Sequence, residues 1–316
     1  MNLNKMDYKK VSVLIVTYKQ ADVIGRNIES ILNQRQYGLH EIVICDDCSP
    51  DNNWDVIQSY VAKYPDIIRA YRNETNLGIY GNSDKLVTLK GNADLFCWVE
   101  GDDAICDGFL KAIQDYISAN RIDTSKRIGI FGNWIWTDPK GNERVISNKA
   151  IECSNMSPLS LYFREVACWR GSVFSAAVLD CYKPTILDKG LNLAETLFDA
   201  QFLMYLDKAF YIDICGTIYY SGIGISTVLG KDSSYRKEEN IIKTKYLLDH
   251  FANDEKDKYW LSYNYHRAKY RVDHKFVDFY KAIKYYNKGV SKVQGNFSTR
   301  FHNYIMPLIA YMLRLR

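Results

Sequence analysis

Apolar and polar residues fall in blocks along the first 120 residues, and the blocks change period from one to the next. Val11-Ser-Val-Leu-Ile-Val16 is a continuous β-branched run, which predicts a buried strand. Thr17-Tyr18-Lys19-Gln20 breaks it, and Ile24, Ile28, Ile31 and Leu32 then recur at helical spacing. Glu41-Ile-Val-Ile-Cys45 predicts a second buried strand, ending in the polar turn Asp46-Asp47-Cys48-Ser49-Pro50-Asp51. Trp54, Ile57 and Val61 predict a helix that Pro65 closes, and residues 67–71 a third strand. After the turn Asn76-Leu77-Gly78 comes a helix to about Leu89. The run Ala93 to Val99 holds six apolar or aromatic residues, a fourth strand, and a helix follows from Asp107 to about Ala119.

Strands alternating with helices imply right-handed crossovers and an α/β fold with a mostly parallel central sheet. Ligands of such sheets bind beyond the carboxyl ends of the strands. Three polar clusters fall at those ends: Thr17-Tyr18, Asp46-Asp47 and Glu100-Gly101-Asp102-Asp103. The last cluster is the most informative. Carboxylates packed this closely repel each other and resist burial. A divalent cation with a bound diphosphate removes the conflict, because Mg²⁺ takes one or two carboxylates plus phosphate oxygens. The alternative is a solvated acidic turn. No Gly-x-Gly-x-x-Gly follows the first strand and no P-loop is present, so dinucleotide dehydrogenases and P-loop NTPases lose their signatures.

The same motifs, in this order, resemble those of the family 2 glycosyltransferases, which have the GT-A nucleotide-sugar fold. The resemblance covers about residues 10 to 225 and rests on Thr-Tyr-Lys-Gln after the first strand, Asp-Asp-Cys-Ser after the second, Asn76-Leu77-Gly78 and Glu100-Gly101-Asp102-Asp103. It implies that Asp47 accepts a hydrogen bond from the nucleotide base, suiting a uracil or thymine imide. Thr17 and Tyr18 would line the base pocket, with Asn76 and Gly78 in the donor-side turn. Asp102 would lie near the ribose, and Asp103, with Asp102, would bind Mg²⁺ or Mn²⁺ bridging the diphosphate. Without the resemblance, Thr17-Tyr18 reads as a strand-end turn and Asp47 as a helix cap, a role open also to Asp46 or Ser49.

Three departures stand out. Lys19 replaces the family's Asn. Cys48 replaces the Gly of the aspartate turn, which predicts a backbone that avoids positive φ. No Arg follows the Asn-x-Gly turn, leaving Lys85 as a substitute.

Beyond residue 120, Ile128 to Trp136 predicts a strand, Asp138 to Asn142 a turn, and Glu143 to Ser147 an antiparallel return. Trp169 to Phe174 leads into a short helix and resembles the acceptor-side segment, with Arg170 read as a surface side chain or a contact to an acceptor phosphate. Glu195 and Asp199, four apart, share a helix face. Asp199 is the first candidate for the base that takes the acceptor hydroxyl proton, because Phe-Asp-Ala-Gln-Phe resembles the base-bearing segment; Glu195 is the second. Phe210 to Ile214 and Gly216 to Tyr220 predict two short strands. In the following Ser-Gly-Ile-Gly-Ile-Ser the family's Arg or His is missing, which leaves a third metal ligand to water, and the two glycines fit a closing loop.

Charge then divides the chain. From Lys231 onward 18 Lys and Arg face 9 Asp and Glu, a net of +9, whereas residues 1–230 carry −5. The expected organisation is a catalytic domain over 1–230 and a basic helical region over 231–316, the latter with two to four helices between residues 237 and 288. Residues 301–316 are too short and too charged to span a bilayer. They suit an amphipathic helix on an anionic membrane surface or one packed on protein. No nucleic-acid motif accompanies the basic tail. The polar, basic start and eight dispersed cysteines fit a cytoplasmic enzyme with reduced thiols, able to sit on the inner face of the cell membrane.

The sequence therefore points to an inverting, metal-dependent transferase. It would move a sugar from a nucleoside-diphosphate donor, UDP-linked first, to a hydroxyl of a glycan or lipid-linked glycan, as in bacterial surface polysaccharide assembly. The rivals are a sugar nucleotidyltransferase, disfavoured by Thr17-Tyr18-Lys19-Gln20 in place of a Gly-rich loop, and a non-catalytic nucleotide-binding scaffold.

Overall fold

A computed structural model describes residues 8–152, 170–183, 201–223, 233–252 and 255–289. The chain forms two compact units, residues 1–231 and 232–316.

The first unit opens with β1 (Val11–Thr17), α1 (Ile24–Leu32), β2 (Leu39–Asp46), α2 (Asn53–Lys63), β3 (Ile68–Arg72), α3 (Gly78–Thr88) and β4 (Leu95–Glu100). β1 to β4 are mutually parallel in the spatial order β3-β2-β1-β4. β1 is buried along its whole length because it lies centrally, which is why it reads as an unbroken apolar run. Ile24, Ile28, Ile31 and Leu32 put one face of α1 into the core beside Val13, Ile15 and Val99. Each such side chain contributes about 1.5–3 kcal/mol by leaving water.

The second half of the sheet is mixed. β5 (Ala104–Ile105), α4 (Phe109–Asn120), β6 (Ile128–Thr137), β7 (Glu143–Ile146), β8 (Ser172–Ser175), α5 (Ala176–Leu179) and β9 (Lys208–Tyr220) complete it. The path continues β4-β8-β6-β9-β5, with β7 on β6. β8 runs antiparallel to both β4 and β6, and β9 parallel to β6. One strand of 13 residues stands where two short ones were expected. Its pairing with β6 shifts register around Asn133, and this irregularity absorbs the Cys215-Gly216 break in the apolar pattern. β5 leaves the end of β4 and pairs with β9, so the acidic turn is held between two parts of one sheet.

The second unit contains α6 (Ser233–Phe251), α7 (Glu255–Asp273) and α8 (Phe276–Gly289). Tyr263 of α7 packs on Ala282 and Tyr286 of α8. No helix among the described residues is long and apolar enough to cross a membrane.

Candidate functional site

The carboxyl ends of β1, β2 and β4 come together because the three strands are adjacent: Thr17 pairs with Asp46, and Val16 with Glu100. Two polar frameworks are built there.

The first surrounds the aspartates after β2. Asp46 is fully buried; Asn53 at the start of α2 donates to its Oδ1 (2.7 Å), the Ser49 amide donates to its Oδ2 (3.1 Å), and Arg72 pairs with it at 3.4 Å. Asn53 also donates to Thr17 Oγ1 (3.1 Å), and Thr17 donates to Gln20 Oε1 (2.7 Å). The Thr17 side chain thus ties β1 to α2, while Tyr18 beside it is half-buried and carries Lys19 Nζ 5.0 Å above its ring. Asp47 is buried too, and its Oδ1 accepts from Asn73 Nδ2 and the Leu77 amide, both at 2.8 Å. Burial pushes the Asp47 carboxyl above its usual range, and the Leu77 amide, Asn73 and the Gly78 amide pull against that rise. Asn73 donates onward to Asn82, which donates to the Cys45 carbonyl. Asn76 closes the turn by accepting from the Gly78 amide (3.1 Å), and Gly78 opens α3 at φ +73°. The second and third sequence motifs are therefore joined through Asp47.

The backbone corrects one expectation. Cys48 has φ +56°, and Lys19 has φ +55°. Both positions are left-handed although neither residue favours it, at about 1–2 kcal/mol each. The hydrogen bonds around them hold the shape: Lys19 N donates to Ser49 Oγ (3.0 Å) and Ser49 N to Asp46. The turn keeps the conformation suited to Gly without the Gly.

The second framework surrounds the acidic turn after β4. Gly101 packs against β1 so closely that a Cβ there would lie 2.3 Å from Gln20 Oε1 and 2.9 Å from Thr17 Cβ. Asp102 and Asp103 are both buried. Asn27 of α1 donates to the carbonyls of Glu100 (2.8 Å) and Asp103 (3.1 Å), and Arg26 donates to the Asp102 carbonyl (2.6 Å). Arg26 stacks 3.6 Å over the Tyr220 ring. Arg170 reaches the same turn from the other side, 3.7 Å from Glu100 Oε2 and 3.9 Å from Asp103 Oδ2. Its guanidinium lies 4.3 Å over Tyr219 and 5.3 Å from the Trp134 ring, and its side chain is only 17% exposed. It is not a surface arginine. Strand register explains the meeting. Phe174 pairs with Phe96 in antiparallel β8 and β4, and four residues further on Arg170 faces Glu100.

Sequence reasoning missed Asn27, Asn53, Asn73 and Arg26, and it did not place Arg170 at the acidic turn. Asn27 did leave a signal, because it occupies a core-facing position between Ile24 and Ile28, where a buried polar group needs partners. Lys85 is exposed on α3. Glu195, Asp199, residues 224–226 and residues 301–316 lie outside the described residues. No group of three His, Cys, Asp or Glu side chains able to hold a metal occurs among the described residues. The oxygen donors of Asp102 and Asp103 fit a hard cation that takes its other ligands from phosphate and water.

The chain belongs to glycosyl transferase family 2, whose model matches residues 12–169, half of its length. It is 24% identical over 205 residues to the poly(ribitol-phosphate) β-N-acetylglucosaminyltransferase TarP of Staphylococcus aureus, covering 62% of this chain and 58% of that one. It is 25% identical over 255 residues to a Campylobacter jejuni GalNAc(5)-diNAcBac-PP-undecaprenol β-1,3-glucosyltransferase, covering 79% and 77%. The fold is similar to the crystal structure of S. aureus TarS with UDP-GlcNAc, with TM-score 0.62, 16% identity, and 83% of this chain and 72% of that chain covered. The chain spans 27% to 58% of the length of the first curated relatives it matches.

Proposed function

We propose that this protein is an inverting glycosyltransferase that uses a nucleoside-diphosphate sugar, a UDP-sugar first, to glycosylate a hydroxyl of a bacterial cell-surface glycan. The observation that supports the reading is that Asp47 and the Glu100–Asp103 turn follow the two strands that flank β1, at one edge of the sheet, in a family 2 chain. Asp47, fixed by Asn73 and Leu77 through Oδ1, is the acceptor for a base N–H. Asp102 lies toward the ribose. Asp103, with Asp102, is the ligand set for Mg²⁺ or Mn²⁺, which when bound offsets charge on the leaving diphosphate. Asp199, with Glu195 second, is the candidate to take the acceptor proton as the hydroxyl oxygen attacks the anomeric carbon; that bond forms as the bond to the diphosphate breaks.

Relatives that act on poly(ribitol-phosphate) and on an undecaprenol-linked glycan support a polymeric or lipid-linked acceptor. The basic tail supports contact with an anionic membrane. On α8, Phe276, Val277, Tyr280 and Ile283 are exposed among the exposed Lys275, Lys281, Lys284 and Lys288.

The test is a thermal shift with UDP, GDP, dTDP and CDP, each with Mn²⁺ or EDTA. A ligand that binds the folded state raises its apparent stability by mass action. UDP with Mn²⁺ is expected to raise the unfolding temperature of the wild type and to leave Asp103→Asn unmoved. Equal silence toward all four nucleotides overturns the reading.

A further inference from the structure

The acidic turn already faces an internal cation. Arg170 approaches Glu100 and Asp103 together, and Tyr219 and Trp134 lie beside its guanidinium. The two rings come from β9 and β6, paired strands, and pack edge to face at 6.1 Å, a rigid seat for a planar cation. At 3.9 Å the guanidinium lies just beyond hydrogen-bond range of Asp103, so it offsets that carboxylate's charge across a short gap. Side-chain exposure is 17% for Arg170, 19% for Glu100 and 4% for Asp103, so water screens the charges weakly.

A second cation brought to Asp103 meets this guanidinium at close range. A bare divalent ion is therefore opposed, whereas one carrying a diphosphate brings negative charge for Arg170 as well. Resting on the proposed function above, we infer that Arg170 is a positioning residue that makes metal loading depend on the nucleotide: it holds the Asp103 carboxylate in charge balance until a metal–diphosphate complex arrives, then turns its charge to the diphosphate. The binding order is thus built into the site, with nucleotide and metal arriving together.

The test is titration of Mn²⁺ into the full chain, with free Mn²⁺ read by electron paramagnetic resonance, with and without UDP. Without UDP, Arg170→Gln should bind Mn²⁺ about tenfold more tightly than the wild type, because a close like charge is gone. Arg170→Lys, which keeps the charge, should stay near the wild type. UDP should tighten Mn²⁺ binding more in the wild type than in Arg170→Gln. Where Arg170→Gln fails to fold, Tyr219→Leu loosens the guanidinium and should shift Mn²⁺ binding the same way, by about two- to threefold. Unchanged or weaker Mn²⁺ binding in folded Arg170→Gln, or in Tyr219→Leu where it stands in, overturns the inference. Asp103→Asn separates the two failures. If it still binds Mn²⁺, the metal assignment itself falls; if it loses Mn²⁺ while Arg170→Gln shows no change, only the role of Arg170 falls.

Discussion

Two buried carboxylates follow the strands that flank β1 on either side and are kept in different ways. Asp47 is held by neutral donors, the Leu77 amide and the Asn73 side chain. Asp103 is faced by a guanidinium and lies in a turn whose carbonyls are bonded by Asn27 and Arg26. Neutral donors fix a direction and leave the net charge in place, so desolvation still pushes the Asp47 carboxyl upward. A guanidinium offsets the charge itself. The first arrangement suits recognition of a base edge, the second suits exchange of one cation for another.

The contrast can be broken most strongly at the acidic turn. Gly101→Ala places a Cβ against Gln20 and Thr17. It should cost about 1–3 kcal/mol in urea unfolding and should weaken Mn²⁺-dependent nucleotide binding. Asn73→Ala attacks the amide-held side. It strips one donor from Asp47 and one from Asn82, and a loss of about 1–3 kcal/mol is expected, with weaker UDP binding that persists in EDTA. Persistence in EDTA is the point, since under the proposed function this effect runs through the base side.

Asp47→Asn sharpens the comparison through pH. The folded carboxyl titrates above its ordinary 3.8, so the folded protein holds this proton more tightly than the unfolded chain does. The contribution of Asp47 to stability is therefore greatest below 3.8 and is lost as pH rises through the raised folded value. The stability of Asp47→Asn relative to the wild type, from urea unfolding, should rise over that window and level off above it. A flat difference would mean that the neutral donors compensate burial completely. The smallest effect is expected at the strained turn. Cys48→Gly removes the left-handed cost at φ +56° but loosens the unfolded chain, so a net gain of about 0.5–1 kcal/mol is expected in the same assay.

The elements of the parallel half of the sheet were legible because each is short-range. β1, β2 and β4 read as apolar runs, and α1 as Ile24, Ile28, Ile31 and Leu32 at helical spacing. Their polar ends carried the candidate residues Thr17, Asp47, Asp102 and Asp103 to one edge. The supporting asparagines were not legible in the same way. Asn53 and Asn73 act on groups 26 to 36 residues away in the chain, and only the packing of α2 and β3 on β2 brings them there.

By itself the sequence determined which segments become strands and helices, and where the carboxylates emerge, since period and composition are local properties. The tertiary structure alone decided their company. Antiparallel β8 set Arg170 opposite Glu100, and β9 carried Tyr219 and Tyr220 beneath two arginines from distant segments. It also overruled residue preference at Lys19 and Cys48, where hydrogen bonds from the surrounding fold outweigh the local cost of a left-handed backbone. Those outcomes depend on strand order and register, which arise from the summed burial of the whole sheet and not from any one stretch of chain.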